Sequence, residues 1–172
     1  MKFEEETIDK TYVYKGKILN LRRDEVRLPN GETTIREVIE HTGGSSVLCE
    51  MDGKILLVRQ FRYPFKKEIW EIPAGKRNKG ESPETTAIRE LEEEGGIVAQ
   101  GVEKLFEFYP SPAYTEEIIY VFRAVNPKKG NMHLDEDEFL TCRWFSKKEI
   151  KTMLKNGEIC DAKTLMALNT II

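Results

Sequence analysis

Apolar and polar positions alternate through the first sixty residues of the chain, and the period then changes. Spans 11–14, 19–28 and 33–41 are rich in β-formers, and Pro29-Asn30-Gly31 between the last two is a hairpin turn. Spans 47–50 and 54–60 repeat the arrangement around Asp52-Gly53, so two hairpins are expected before residue 75. Further strands are expected over 102–109, 117–125 and 140–145, with a Pro-, Lys-, Gly- and Asn-bearing loop over 126–132. Ser146 caps a helix running to about residue 155, Asn156-Gly157 breaks it, and Asp161 caps a last helix over 162–170. The apolar rows of these two helices read as core.

Between the strands lies the one long helical pattern, and it carries more carboxylate than packing needs. Ser82 suits an N-cap, Pro83 the first helical position, and Glu84 the positive end of the helix dipole. Gly95-Gly96 supplies a left-handed stop, which predicts a three-turn helix over 83–94. At 100° per residue Ala87, Ile88 and Leu91 share one side, while Glu90, Glu93 and Glu94 form an adjacent stripe. Like charges at i and i+4 cost roughly 0.2–0.5 kcal/mol per pair, so Glu90 beside Glu94 calls for a cation between them. Hard divalent ions take oxygen ligands and bridge carboxylates to substrate phosphates. The alternative is a solvated acidic face.

Composition narrows the classes. The chain has 172 residues, 40% hydrophobic and 33% charged, which suits a folded globular protein of one domain's size. Its 27 Lys and Arg against 30 Asp and Glu leave a net charge of −3, without the basic footprint of a nucleic-acid or anionic-membrane binder. Three cysteines, Cys49, Cys142 and Cys160, are widely spaced with no CxxC, as expected of reduced thiols and not of a zinc site. The acidic start MKFEEETIDK lacks a signal-peptide apolar stretch, and no apolar run is long enough to span a bilayer. A cytoplasmic location, with neither nucleic acid nor membrane as partner, is the expectation.

The run from Gly75 to Ile97, GKRNKGESPETTAIRELEEEGGI, follows the pattern Gly-x5-Glu-x7-Arg-Glu-(apolar)-x-Glu-Glu-x-Gly-(apolar). That pattern resembles the Nudix box, and every specified position is matched. The resemblance implies an α/β (α+β) fold, a Nudix-type α/β/α sandwich with a mixed sheet, here over residues 43–172. An N-terminal antiparallel β extension over 1–42 would serve dimerisation. It implies a hydrolase acting on nucleoside diphosphates linked to another moiety. Glu90 and Glu94 would bind the metal with the Ala74 carbonyl as a further ligand, and Glu93 would assist directly or through water. Glu81 and Arg89 would pair to hold the loop on the helix.

Outside the box, the chain is similar to the ADP-ribose pyrophosphatase branch over nearly its whole length. Pro112 falls fifteen residues after Ile97, within Tyr109-Pro-Ser-Pro-Ala-Tyr-Thr-Glu-Glu117, and Arg36-Glu-Val-Ile-Glu-His41, Val58-Arg-Gln-Phe-Arg-Tyr63 and Trp70-Glu-Ile-Pro-Ala-Gly75 agree with it. The branch's frequent Pro-Gly is Pro112-Ala113 here. Arginine planes can stack on a purine or bind phosphate and ribose oxygens, which makes Arg36 and Arg62 candidates for holding the nucleotide. Arg59 reads as a solvated strand residue. Glu117 would reach the ribose region, in a homodimer built on exchanged N-terminal strands. In Leu134-Asp-Glu-Asp-Glu-Phe139, either Glu136 or Glu138 would act as the base, unless the loop is only a solvated acidic surface. His41 and His133 read as structural or exposed.

The implied reaction is hydrolysis of ADP-ribose to AMP and ribose 5-phosphate with Mg²⁺, or alternatively Mn²⁺, and no organic cofactor. Two rivals stand beside it. One is a pyrophosphatase of GDP-mannose or another sugar nucleotide; the other is a module that senses ADP-ribose without turning it over.

Overall fold

A computed structural model of the chain describes residues 3–134 and 138–172, so the candidate base Glu136 lies outside the described residues. The chain forms two compact units: residues 1–43 with 109–118, and residues 44–108 with 119–172.

The first unit is a three-stranded antiparallel sheet of β1 (Glu6–Lys15), β2 (Asn20–Arg27) and β3 (Thr33–Glu40), in that spatial order. The expected turn joins β2 to β3, with Gly31 at φ +89°, where a side chain would be strained. Arg22, Asp24 and Val26 of β2 point inward. Arg22 is the charge hub: it donates to Asp24 at 2.8 Å, Glu40 at 2.5 Å and Glu116 at 2.6 Å. The segment 109–118 is tied to β3 by backbone bonds, Ile39 N to Tyr114 O at 2.7 Å and Glu116 N to Ile39 O at 3.0 Å. By contrast β1 is exposed along all ten residues.

In the second unit, β4 (Gly44–Leu48) is buried throughout, followed by β5 (Glu50–Met51), β6 (Lys54–Arg62), β7 (Lys67–Glu71) and β8 (Ala74–Lys76). Helix α1 (Pro83–Gly95) follows, then β9 (Ile97–Val98), β10 (Gly101–Phe108), β11 (Ile119–Val125), β12 (Lys128–Lys129) and β13 (Leu140–Ser146). Helices α2 (Lys147–Lys155) and α3 (Ala162–Leu168) end the unit. The sheet of order β10-β11-β4-β8 is mixed, since β11 runs parallel to β4 and the other pairs are antiparallel. A second sheet has order β13-β6-β5, with β7 also on β6.

The second expected hairpin is therefore only two residues deep: Glu50 and Met51 pair across the turn with Ile55 and Lys54, while the preceding strand leaves to sit between β11 and β8. A strand buried on both faces, with a partner 75 residues away, leaves no alternation to read. Likewise the strand expected from 117 begins at Ile119, the last helix stops at Leu168, and β7 and β8 were not expected.

Two apolar clusters fill the faces. Val47, Cys49, Leu56, Ala87, Leu91, Ile97 and Phe122 pack on the α1 side. Leu48, Ile55, Leu57, Ile72, Val121, Ile150 and Leu168 pack on the α2 and α3 side, giving helices on both faces of the strands. Among the described residues no helix is long and apolar enough to cross a membrane.

Candidate active site

Helix α1 begins as its residues dictate. The Ser82 side chain accepts from Thr85 N at 3.2 Å, Pro83 occupies the first turn, and Gly96 ends the helix at φ +61°. These caps set the phase that turns Ala87 and Leu91 into the core and brings Glu90 and Glu94 inward beside them. Glu90 is 6% exposed and Glu94 2%, so the acidic stripe is not a solvated face. Glu93 stays half-buried at its edge.

Strand β8, ahead of the helix, receives these acids. Glu94 Oε2 accepts from Ala74 N at 2.8 Å, which fixes one carboxylate beside the residue whose carbonyl was the third candidate ligand. Glu90 lies against Gly75: a Cβ there would come within 1.9–2.4 Å of the Glu90 carboxyl atoms. Only glycine leaves that cradle open. Arg89 gathers the rest, donating to Glu81 at 2.9 and 3.2 Å, to Glu90 and Glu93 at 2.7 Å each, and to the Lys76 carbonyl at 3.2 Å. The expected pairing of Glu81 with Arg89 is thus present and clasps loop to helix.

The electrostatics follow from burial. Desolvation pushes the Glu90 carboxyl up to about 7 although Arg89 pulls it down, and the charges of Glu93 and Glu138 add to the rise. Desolvation likewise pushes Glu94 up to about 8 against the Ala74 amide, with Glu90 and Glu138 adding. In both, burial outweighs the nearby positive or hydrogen-bonding groups that favour the charged form. Half-buried Glu138 is within electrostatic reach of the pair. Among the described residues no three His, Cys, Asp or Glu side chains gather as a metal centre. The donor set is instead two carboxylates and a neighbouring backbone carbonyl, hard oxygens that suit Mg²⁺ or Mn²⁺.

Arg62, at the end of β6, is held by a partner sequence reasoning missed. Its Nε and Nη2 each donate at 2.6 Å to Glu71, which is 2% exposed and also receives Lys163 Nζ at 2.5 Å. Burial alone would raise the Glu71 carboxyl, but Arg62 and Lys163 outweigh it and hold it below the usual range. These three residues border a cavity of about 580 Å³, with Phe65, Lys67 and Asp161 among the others around it. Glu71 could have been suspected from Trp70-Glu71-Ile72-Pro73; nothing around Lys163 marks it. Arg59 pairs with Glu68 and lies over Trp70.

The remaining candidates belong to the first unit. Arg36 donates twice to Glu5, at 3.0 and 2.6 Å, on an exposed surface. Glu117 lies 3.3 Å from His41 Nδ1. His133 borders a shallow cleft of about 440 Å³ beside Arg89 and Glu93 in the second unit. Cys49 and Cys142 are pushed by burial up to about 12 and about 11, so both stay as thiols at neutral pH.

Comparison with known proteins agrees with this architecture. The NUDIX domain profile matches residues 32–168, and that of the nucleoside diphosphate sugar hydrolase N-terminal domain matches residues 5–39. An ADP-ribose pyrophosphatase of Bacillus subtilis (strain 168) is 43% identical over 168 residues, covering 96% of this chain and 91% of the relative. A methanol dehydrogenase activator of Bacillus methanolicus is 41% identical, with coverage of 96% and 91%. The solved structure of an ADP compounds hydrolase superposes with a TM-score of 0.85 at 18% identity, covering 98% of this chain and 92% of that one, which shows a shared fold. With its box complete, its two acids buried against β8, and a profile spanning most of its length, this chain belongs to the Nudix family of hydrolases.

Proposed function

We propose that the protein hydrolyses the diphosphate of ADP-ribose, giving AMP and ribose 5-phosphate. The observation that carries the reading is the buried pair Glu90 and Glu94, one helical turn apart against Ala74 and Gly75 of β8, a costly arrangement that catalysis explains. The relative named ADP-ribose pyrophosphatase, matched over nearly the whole chain, supports the choice of substrate.

Glu90, Glu94 and the Ala74 carbonyl would hold Mg²⁺ or Mn²⁺, which when bound neutralises the diphosphate and makes a water nucleophilic. Glu138 takes the proton from the attacking water, Glu136 being the alternative, and Glu93 assists directly or through a water. Attack at one phosphorus breaks its bond to the bridging oxygen, and the other phosphate leaves as a stable anion. Arg62, braced by Glu71, and Arg36 bind the nucleotide; Glu117 contacts its ribose. The working form is a homodimer joined through the 1–42 region, in the cytoplasm.

The test is turnover of a panel of ADP-ribose, GDP-mannose, NADH, ADP-glucose and diadenosine polyphosphates, with Mg²⁺ and with chelator. Metal-dependent release of AMP from ADP-ribose, well above the others, is the expected result. Preference for GDP-mannose moves the assignment to that sugar nucleotide. Binding of ADP-ribose without turnover of any member moves it to a sensor.

A further inference from the structure

Ser45 is the second residue of β4, 1% exposed, and among the described residues its hydroxyl has no hydrogen-bond partner. Strand alternation says which way it faces. Val47 and Cys49, at the same parity, pack with Ala87 and Leu91 of α1, so Ser45 points to the α1 side. Ser46, at the opposite parity, turns away and donates to Tyr120 O at 3.4 Å. Across the sheet, Ser45 is the register partner of Gly75. Directly opposed residues of an antiparallel pair put their side chains on the same face, with Cβ atoms about 5 Å apart. The place of the missing Gly75 Cβ is where the Glu90 carboxyl sits. A buried hydroxyl without a partner therefore borders the cradle that holds Glu90. Such an orphan is costly and calls for a polar group that arrives with the working state.

We propose that Ser45 is a positioning residue for Glu90: its hydroxyl donates to that carboxylate, directly or through one water, and fixes the oxygen offered to the divalent cation. The inference rests on the assignment of Glu90 as a metal-holding residue. Groups that orient a metal-binding side chain typically govern affinity by about ten- to a hundredfold.

The test uses Mn²⁺ alone, titrated into the full chain and followed by electron paramagnetic resonance of the free ion, with thermal melts of the metal-free proteins beside it. Ser45→Ala should weaken Mn²⁺ binding by about tenfold while the metal-free melting temperature stays level or rises, since the variant deletes an unpaired buried hydroxyl. Ser46→Ala, on the other face, should lower the melting temperature and leave Mn²⁺ affinity within twofold (about the spread of such titrations). Mn²⁺ affinity unchanged in Ser45→Ala overturns the proposal, as does an equal loss in Ser46→Ala or a loss that comes with a lowered melting temperature. Wild-type protein that binds no Mn²⁺ overturns the metal assignment beneath it, and that result is visible before any variant is compared.

Discussion

At the scale of single residues, the site joins groups that cost stability to groups that hold them in place. Glu94 is buried against the Ala74 amide, so Glu94→Gln keeps its volume and a hydrogen-bonding oxygen while removing the charge offered to a cation. We expect activity to fall at least roughly a hundredfold with the fold intact, and added Mg²⁺ to raise the melting temperature of the wild type but not of the variant. Gly75→Ala tests the same place from β8. The new Cβ would meet the end of the flexible Glu90 side chain, which can swing aside, so stability should change little. The displaced carboxylate should nonetheless cost activity on the order of a hundredfold, as misplacements near 1 Å do. Steady-state kinetics beside melting curves separate the two effects. Glu81 bears the opposite sign of electrostatics: its hydrogen bonds from Arg89 hold its carboxyl at about 2, below the ordinary 4.5. A depressed folded-state value means stability that is present above 4.5 and lost as pH falls toward 2. Glu81→Gln should thus melt below the wild type at pH 7, with the gap narrowing as pH falls below 4.5. A gap of constant size would show that the Arg89 clasp does not depend on charge.

At the scale of elements, what was legible depended on whether the signal was local. The box helix was readable to within a residue, because Ser82, Pro83 and Gly96 act on their own backbone neighbours. The capping box of α2, with Ser146 and Glu149 each bonding the other's backbone, is equally local. Strand β4 was not legible in the same way: its partner β11 lies far along the chain, and its burial on both faces removes the alternation that marks a half-exposed strand. The site divides along the same line. The spacing of Glu90, Glu93 and Glu94 is local and was visible, whereas the Glu71 and Lys163 brace on Arg62 and the place of Ser45 beside Gly75 exist only after folding. The cap can be tested directly. Ser82→Ala removes the acceptor for Thr85 N and should cost about 1 kcal/mol of stability. Urea unfolding measures that cost; the variant's kcat should fall little, because Arg89 and Gly96 still hold the helix phase. A collapse of kcat at unchanged stability would mean that the cap tunes the acids themselves.

At the scale of the whole molecule, β1 poses the remaining question. It is an edge strand of ten residues, exposed along its length, yet it carries Ile8, Tyr12, Val13 and Tyr14, and Ile18 follows at 63% exposure. A long apolar edge invites pairing with another chain unless charge or a bulge blunts it. Bulges do interrupt the β1–β2 register at Thr7/Asp9 and Tyr12/Tyr14, but the apolar side chains beside them still face outward. A second copy of this chain would satisfy the strand, in keeping with the homodimer proposed above. Sedimentation should then give a mass near twice the 19.9 kDa of the chain. Val13→Asp changes a residue that is 61% exposed, so the isolated fold should tolerate it. In a dimer, the same change buries an unpaired charge, a cost of several kcal/mol that would shift the mass toward the monomer. A wild type that sediments as a monomer at working concentration would remove the dimer, and with it the role of the 1–42 region in dimerisation. A dimer unaffected by Val13→Asp would move the interface away from β1.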